Sequence, residues 1–375
     1  MHALVALAVV RFGLTLSLGP EYDSNANRAE VVANAESPDH AEGSFLLRTT
    51  AAAHLLWRSA NNLLSVSANL GGKLYFDPAV FDQDVLATQL AGEDRVRIAR
   101  FFHLAVAGDY YDAFQLPVAP FRARDFRSGA ALLRAYFFDT LGEVSVSGGY
   151  RGFQYKPDPY FDFQAAQANA YAVARLHFGA NDDHELDVAA LYHLERRAFA
   201  GVIQELDLAQ NDCRYGQPIQ NKCLIASAHG VRRDDWFHEG GLQLTYVGAL
   251  LVGIGYGAQL NLSNSFGQSL LRHLLTLKIA YRLPWSLYAT VKAQLYITRY
   301  LDPVLLDRAF ASQTFITIED ENRNAVIIDV ERPLGASGLA VDARYSIYTN
   351  ELAPSPVSFL RQVVYLGLTY RVGAR

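Results

Sequence analysis

Long hydrophobic runs are missing from this chain. Nowhere in its 375 residues do apolar side chains approach the roughly 18 in a row that a membrane-spanning helix needs. Cysteine is almost absent: Cys213 and Cys223 are the only two, and no Cys/His cluster has the spacing of a structural zinc site. No glycine-rich phosphate loop follows a buried strand. A nucleophile held against a base is wanting too. Asp187 and His193 share a strand face but stand roughly 20 Å apart along it, while His273 and Ser286 belong to different strands and opposite faces. The expectation is no enzyme, no metal and no other cofactor. Positive charge is in deficit as well, with 33 Lys and Arg against 38 Asp and Glu and a net charge of −5. That balance argues against nucleic acid as a partner.

What the chain has instead is alternation. Hydrophobic residues make up 51% and aromatics 12%, yet the mean hydropathy is only +0.04. The near-neutral mean arises because apolar residues are interleaved with polar ones. The last segment, Ser358 to Val372, shows the pattern best. Successive strand side chains point to opposite faces. One parity gives Leu360, Val364, Leu366, Leu368, Tyr370 and Val372, a continuous apolar face suited to lipid. The other gives Val363, Tyr365, Gly367, Thr369 and Arg371, a mixed face suited to a wet interior. A tilted strand of about ten residues with this pattern spans a bilayer.

Upstream, the same alternation recurs to give about sixteen strands. Between them, short links (Ser59 to Asn62, Leu141-Gly142, Gly248 to Leu250, Pro284-Trp285, Gly335 to Gly338) take turns with long polar loops. The longest loop expected is Ala200 to Arg233. A weak strand is expected at Asp84 to Ala91, turned by Gly92 to Asp94 into a strand from Arg95 to Tyr111. Strand starts are expected at Asp235 and Ser286. An even strand number puts both termini on one side, and every short turn falls on that side. The fold class is therefore all-β: a transmembrane antiparallel up-and-down β-barrel of about 16 strands. Residues 1–375 form one barrel, with 1–10 a signal remnant or N-terminal extension. The expected location is the Gram-negative outer membrane, against its lipid, with both termini periplasmic. A soluble sandwich or propeller also alternates, but its outer face meets water and it needs no long–short rhythm. No blade-length repeat is present.

The inward parity is where function is sought. Its basic residues include Arg48, Lys73, Arg97, Arg134, Arg151, Arg175 and Arg197, then Arg272, Lys278, Arg282, Lys292, Arg344 and Arg371. Its acids are fewer: Asp109, Glu143, Glu185, Asp187, Glu195, Glu239, Asp329, Glu331 and Asp342. The lumen is thus expected to be net basic inside a net acidic chain. Arg-lined pores favour anions through fixed charge and forked donors; a ladder of interior salt bridges is the competing role. Tyr288 and Tyr296 also point inward, where rings beside cations suit a sugar or simply fill space. Cys213 and Cys223 share one polar loop. In an oxidising compartment they are placed to close a small disulfide loop, the alternative being two separate thiols.

One run is distinctive: Gly19-Pro20-Glu21-Tyr22-Asp23-Ser24-Asn25-Ala26-Asn27-Arg28. It resembles the Tyr-Asp-Ser-Asn-x-x-Arg segment that ends the first strand in polysaccharide-export porins and in surface lipoprotein assembly modifiers. The tail, with Tyr365, Gly367, Tyr370 and Val372, resembles the C-terminal signal of outer-membrane barrels. The resemblance implies export of a surface polysaccharide, acidic if the lumen is basic. It also implies either a separate periplasmic partner or a missing domain, because in relatives the barrel usually follows a helical-repeat domain for which this chain has no room. An anion-preferring or general diffusion porin and a protein or lipoprotein translocation barrel are the alternatives. Physically, Asp23, Ser24 and Asn25 suit a strand-to-loop turn, where short polar side chains bond nearby backbone.

Overall fold

A computed structural model of the chain describes residues 9–29, 31–32, 40–115, 125–156, 158–179, 183–206, 225–266, 268–301, 323–350 and 357–373. Sixteen antiparallel strands close into one barrel. They are β1 (Val9–Asp23), β2 (Ser44–Arg58), β3 (Asn62–Tyr75), β4 (Val85–Ala99), β5 (Phe102–Gln115), β6 (Phe126–Asp139), β7 (Gly142–Tyr155) and β8 (Phe163–Phe178). The second half comprises β9 (His184–Leu206), β10 (Ile225–Val247), β11 (Leu250–Ser263), β12 (Leu270–Leu283), β13 (Leu287–Tyr300), β14 (Asn324–Pro333), β15 (Leu339–Thr349) and β16 (Leu360–Gly373). Each strand pairs with its sequence neighbour, and β1 closes the circle on β16. Among the described residues the barrel sheet has no open edge, so every barrel strand finds backbone partners within the wall, the condition for crossing hydrocarbon.

The alternation sorts as the period-2 pattern requires. Along β16, Leu360, Val364, Leu366, Leu368 and Tyr370 are exposed on the outer face, while Arg361, Val363, Tyr365 and Thr369 are buried within. Leu16 and Leu18 of β1 continue that outer band. Such a belt of large exposed apolar side chains running round a closed barrel is a surface built for lipid. Two outward histidines are not left bare in it. Tyr192 bonds His238 Nδ1 and Tyr256 bonds His273 Nδ1, both at 2.8 Å, which spares each ring nitrogen an unmade bond in an apolar medium.

Three strand boundaries differ from the sequence reading. Gly92 to Asp94 is not a turn: it lies inside β4, and the chain reverses at Arg100 and Phe101. The loop expected over Ala200 to Arg233 is shorter, because β9 and β10 run to Leu206 and from Ile225, 23 residues each, with register shifts beyond Ala198. Ser286 belongs to the turn before β13, where it and Trp285 have φ near 60°.

The seam between β1 and β16 joins the two ends of the sequence. The buried Asp23 carboxylate takes a forked pair of bonds from Arg361, Nε to Oδ1 at 2.8 Å and Nη2 to Oδ2 at 2.5 Å. Tyr75 donates its hydroxyl to the same carboxylate at 2.9 Å. Ser24 exchanges two bonds with the Gln362 backbone, and the Asn25 side chain bonds the carbonyls of Ala29 and Leu360. The Asp23-Ser24-Asn25 run is therefore spent on closing the barrel. A two-stranded ladder, Val31–Val32 with Val357–Ser358, ties the first long connection to the last over the same seam. Gly367 is glycine for a local reason: a Cβ there would stand 2.0 Å from the Tyr365 hydroxyl, which folds across it.

Candidate functional site

The inner face divides by height. Towards the end that carries the long connections, its charges are buried and committed to one another. Arg48 and Lys73 converge on Glu21 at 3.2 and 2.8 Å, beside the Asp23–Arg361 pair. Across the barrel, Arg151 and Arg197 converge on Glu195 at 3.1 and 2.6 Å, with His193 Nε2 at 3.1 Å. Arg233 holds Asp235 at 2.5 Å, and Asn261 donates to the same carboxylate. The Arg197 guanidinium lies 4.1 Å from the centre of the Phe237 ring. Arg272 donates to Thr298 at 2.9 Å beside Tyr296.

Aromatic side chains fill the same end. Phe126, Phe153, Phe163 and Phe199 form a file across four strands, with ring centres 5.7, 5.0 and 5.1 Å apart. All but Phe163 are buried, so the file packs the wall and offers no open surface. Ala26, Leu46, Tyr75 and Val80 form a second apolar cluster at that end, and Ala325, Tyr348, Phe359 and Val363 a third. Outside the strands, Lys156 is held between Asp112 and Asp125 at 2.8 and 2.6 Å. Desolvation pulls its pKa down, but the hydrogen bonds to the two carboxylates more than reverse this, so it stands above the ordinary lysine value.

Towards the short-turn end the charges are wetter. Arg134 and Arg95 share Glu93 at 2.8 and 2.9 Å. Arg344 lies 3.3 Å from Asp329 and 4.0 Å from Asp342, Arg371 pairs with Glu331 at 2.5 Å, and Arg175 stands 4.0 Å from Asp187. Arg97 is on the inner parity near the end of β4. Arg282 lies near the end of β12, 5.9 Å from the centre of the exposed Tyr288 ring. Lys278 and Lys292 stand directly opposite each other on β12 and β13. A cavity of about 370 Å³ is lined by Arg48, Asn69, Gln89, Lys292, Asp329 and Arg344 among others. A second, of about 300 Å³, shares Lys292 with it.

The register places every basic residue named from the sequence on the inner face. It brings together Arg48 with Lys73 and Arg151 with Arg197, and leaves Arg97 and Arg282 apart from such groups. It also adds residues that pattern reading passed over: Glu21, Asp23, Glu93 and Asp235, with Arg95, Arg233 and Arg361. With Arg11, which faces Leu56 on the inner parity, the added acids and bases are four each, so the described inner face stays net basic. Glu93 was hidden by the apparent turn around Gly92. Arg361 was hidden by its place at the very start of β16. Cys213 and Cys223 lie outside the described residues.

A closed antiparallel barrel with an apolar belt, a polar charged interior and alternating short and long connections defines the class: a transmembrane β-barrel of the outer-membrane type. No family model and no curated protein matches the chain. Solved structures resemble it along nearly its whole length. The outer-membrane expressed OmpT of Vibrio cholerae is 11% identical with a TM-score of 0.44, covering 97% of this chain and 98% of that one. A bacterial polysaccharide outer membrane secretin is 9% identical at 0.41, covering 97% and 98%. The toluene transporter TbuX of Ralstonia pickettii is 9% identical at 0.37, covering 96% and 89%.

Proposed function

We propose that the barrel is an outer-membrane channel for anionic, hydroxyl-rich solutes, and that its cargo is an acidic surface polysaccharide. The observation that carries this reading is the distribution of charge inside. The acids are largely consumed by paired cations, and the surplus of positive charge lies in the wetter part of the lumen, at Lys278 and Lys292. Barrels of sixteen strands enclose an aqueous channel unless something fills it. In a narrow wet space fixed charges are less screened than on a surface, so a modest imbalance sets the sign of the ions admitted. In this reading the short turns and both termini face the periplasm, where a separate partner delivers the chain, and the long connections face outward.

A small-solute, anion-preferring porin is the second reading. It is favoured by one feature: the two recesses that meet at Lys292 are each of a size for a small solute.

Planar-bilayer reversal potentials under a salt gradient test the shared part of both readings. The expected result is anion preference, weakened when Lys278, Lys292 and Arg344 are all changed to Gln. A cation-preferring pore would refute both. Loss of an acidic surface glycan on deletion of the gene, restored by the wild type, separates export from diffusion.

A further inference from the structure

Two lysines directly opposed on neighbouring strands are an unfavourable arrangement in an empty barrel, because like charges facing each other destabilise a ladder. Lys278 and Lys292 hold that position. Both are exposed to the lumen. Most other lumen cations are within reach of a carboxylate, as Arg134 is of Glu93 and Arg344 of Asp329. Among the described residues no carboxylate lies within salt-bridge distance of either lysine.

The wall beside them is hollowed, with polar groups set among apolar ones such as Leu251, Ala325 and Ile327. The recess of about 300 Å³ is lined by both lysines with Gln243, Thr245, Thr276 and Gln294. It exists because β11 presents glycines there: a Cβ on Gly255 would come within 2.5 Å of Thr276 Oγ1, and one on Gly253 would face Lys278. Gln243 donates to Thr245 Oγ1 at 3.3 Å, and Gln294 donates to the Arg323 carbonyl at 3.0 Å, so both amides are anchored. Ammonium groups only donate, whereas amides and hydroxyls both donate and accept. A bare inorganic anion would satisfy the lysines and leave the amides and hydroxyls unused. A neutral sugar would do the reverse. A carboxylate attached to a ring of hydroxyls satisfies both sets, and the recess is at the small end of ligand pockets, about one sugar unit.

We infer that Lys278 and Lys292, with Gln243, Thr245, Thr276 and Gln294, form a binding site for a hexuronate, the lysines taking the carboxylate and the amides and hydroxyls the ring. The inference rests on the anionic-cargo reading above and names its chemistry.

Ligand-observed NMR on the purified barrel in detergent micelles tests it without requiring conductance. The probes are D-glucuronate, D-glucose, acetate and an oligoglucuronate. Glucuronate is expected to bind more tightly than glucose or acetate. Lys278→Gln with Lys292→Gln is expected to weaken it by about tenfold or more, the scale of lost charge-assisted bonds. Lys292→Arg, which keeps the charge, retains binding, and Gln243→Ala weakens glucuronate but not acetate. The heat-modified gel shift verifies that each variant is a closed barrel. An oligomer bound at least as well as the monomer identifies a chain as the source; exclusion of the oligomer identifies a free sugar acid. Glucuronate binding no tighter than acetate, or unchanged in the double Gln variant, overturns the site. Anion preference in the reversal potential would then still stand, so the two failures are distinguishable.

Discussion

Asp23→Asn should damage this barrel more than removal of the arginine it binds. The seam cluster holds two carboxylates, Glu21 and Asp23, and three cations, Arg48, Lys73 and Arg361. All five side chains are buried, Asp23 and Arg361 at 0% exposure. Taking one partner from a buried pair costs about 3–5 kcal/mol, because a charge is left uncompensated. Arg361→Met leaves two acids with two bases, and Lys73 remains close enough to share. Asp23→Asn leaves one acid among three bases. The asparagine should therefore fall near the top of that range and the methionine near the bottom. The double variant restores one acid and two bases, the same excess as the wild type, and should be more stable than Asp23→Asn alone. The coupling expected for residues in one network is about 0.5–3 kcal/mol. Arg371→Met, which breaks a half-exposed pair with Glu331, serves as the control and should cost about 1 kcal/mol or less. Equilibrium urea unfolding in micelles, followed by tryptophan fluorescence, reads all four. The reasoning is refuted if Asp23→Asn costs no more than the control, or if the two seam substitutions simply add.

Leu366→Arg, on the lipid face of β16, should cost about 2–4 kcal/mol if it sits near the bilayer midplane, read by the same unfolding in liposomes; no loss would mean the outer belt does not face lipid. Lys156 has a raised folded-state pKa, so its contribution is fully present below the unfolded value and is lost as pH rises through the folded one. The difference in urea midpoint between wild type and Lys156→Met should accordingly be constant below the ordinary lysine value of 10.5 and shrink above it; a difference growing with pH would reverse the assignment. Cys213 and Cys223 are proposed to pair, and mass analysis of protein from native envelopes should find no free thiol, while Cys213→Ser leaves the barrel folded.

The barrel was legible because its signal is repeated. Every strand must show apolar residues to lipid at every second position, so an error in one strand is corrected by its neighbours. The single misplaced turn shows where this fails. Gly92, Glu93 and Asp94 look like a turn because strands avoid glycine and acids. They remain in β4 because Glu93 points inward, where Arg134 and Arg95 neutralise it at 2.8 and 2.9 Å. Arg134 lies 41 residues away, and nothing local announces it. Arg100 and Phe101, where the chain does reverse, carry none of the usual turn residues.

Which inner charges are paired and which are free was not legible, because parity gives the face while pairing also needs the register and the reach of long side chains. The division by height follows from that register. Where charges are packed under aromatic rings, each carboxylate gathers cations and is used up in holding the wall. Where the lumen is wetter, Lys278 meets Lys292 with no acid between them. The most recognisable run in the sequence, Tyr22-Asp23-Ser24-Asn25, belongs to the first kind. Its side chains bind Arg361, Gln362 and Leu360 across the seam, so in this chain the run serves the meeting of the first strand with the last. Barrels with quite different cargo face that same closure problem. The chemistry of what passes through has to be sought in residues that carry no motif, and a pair of lysines without acids, set beside a glycine-cut recess, is the arrangement in this lumen that a folded wall does not itself require.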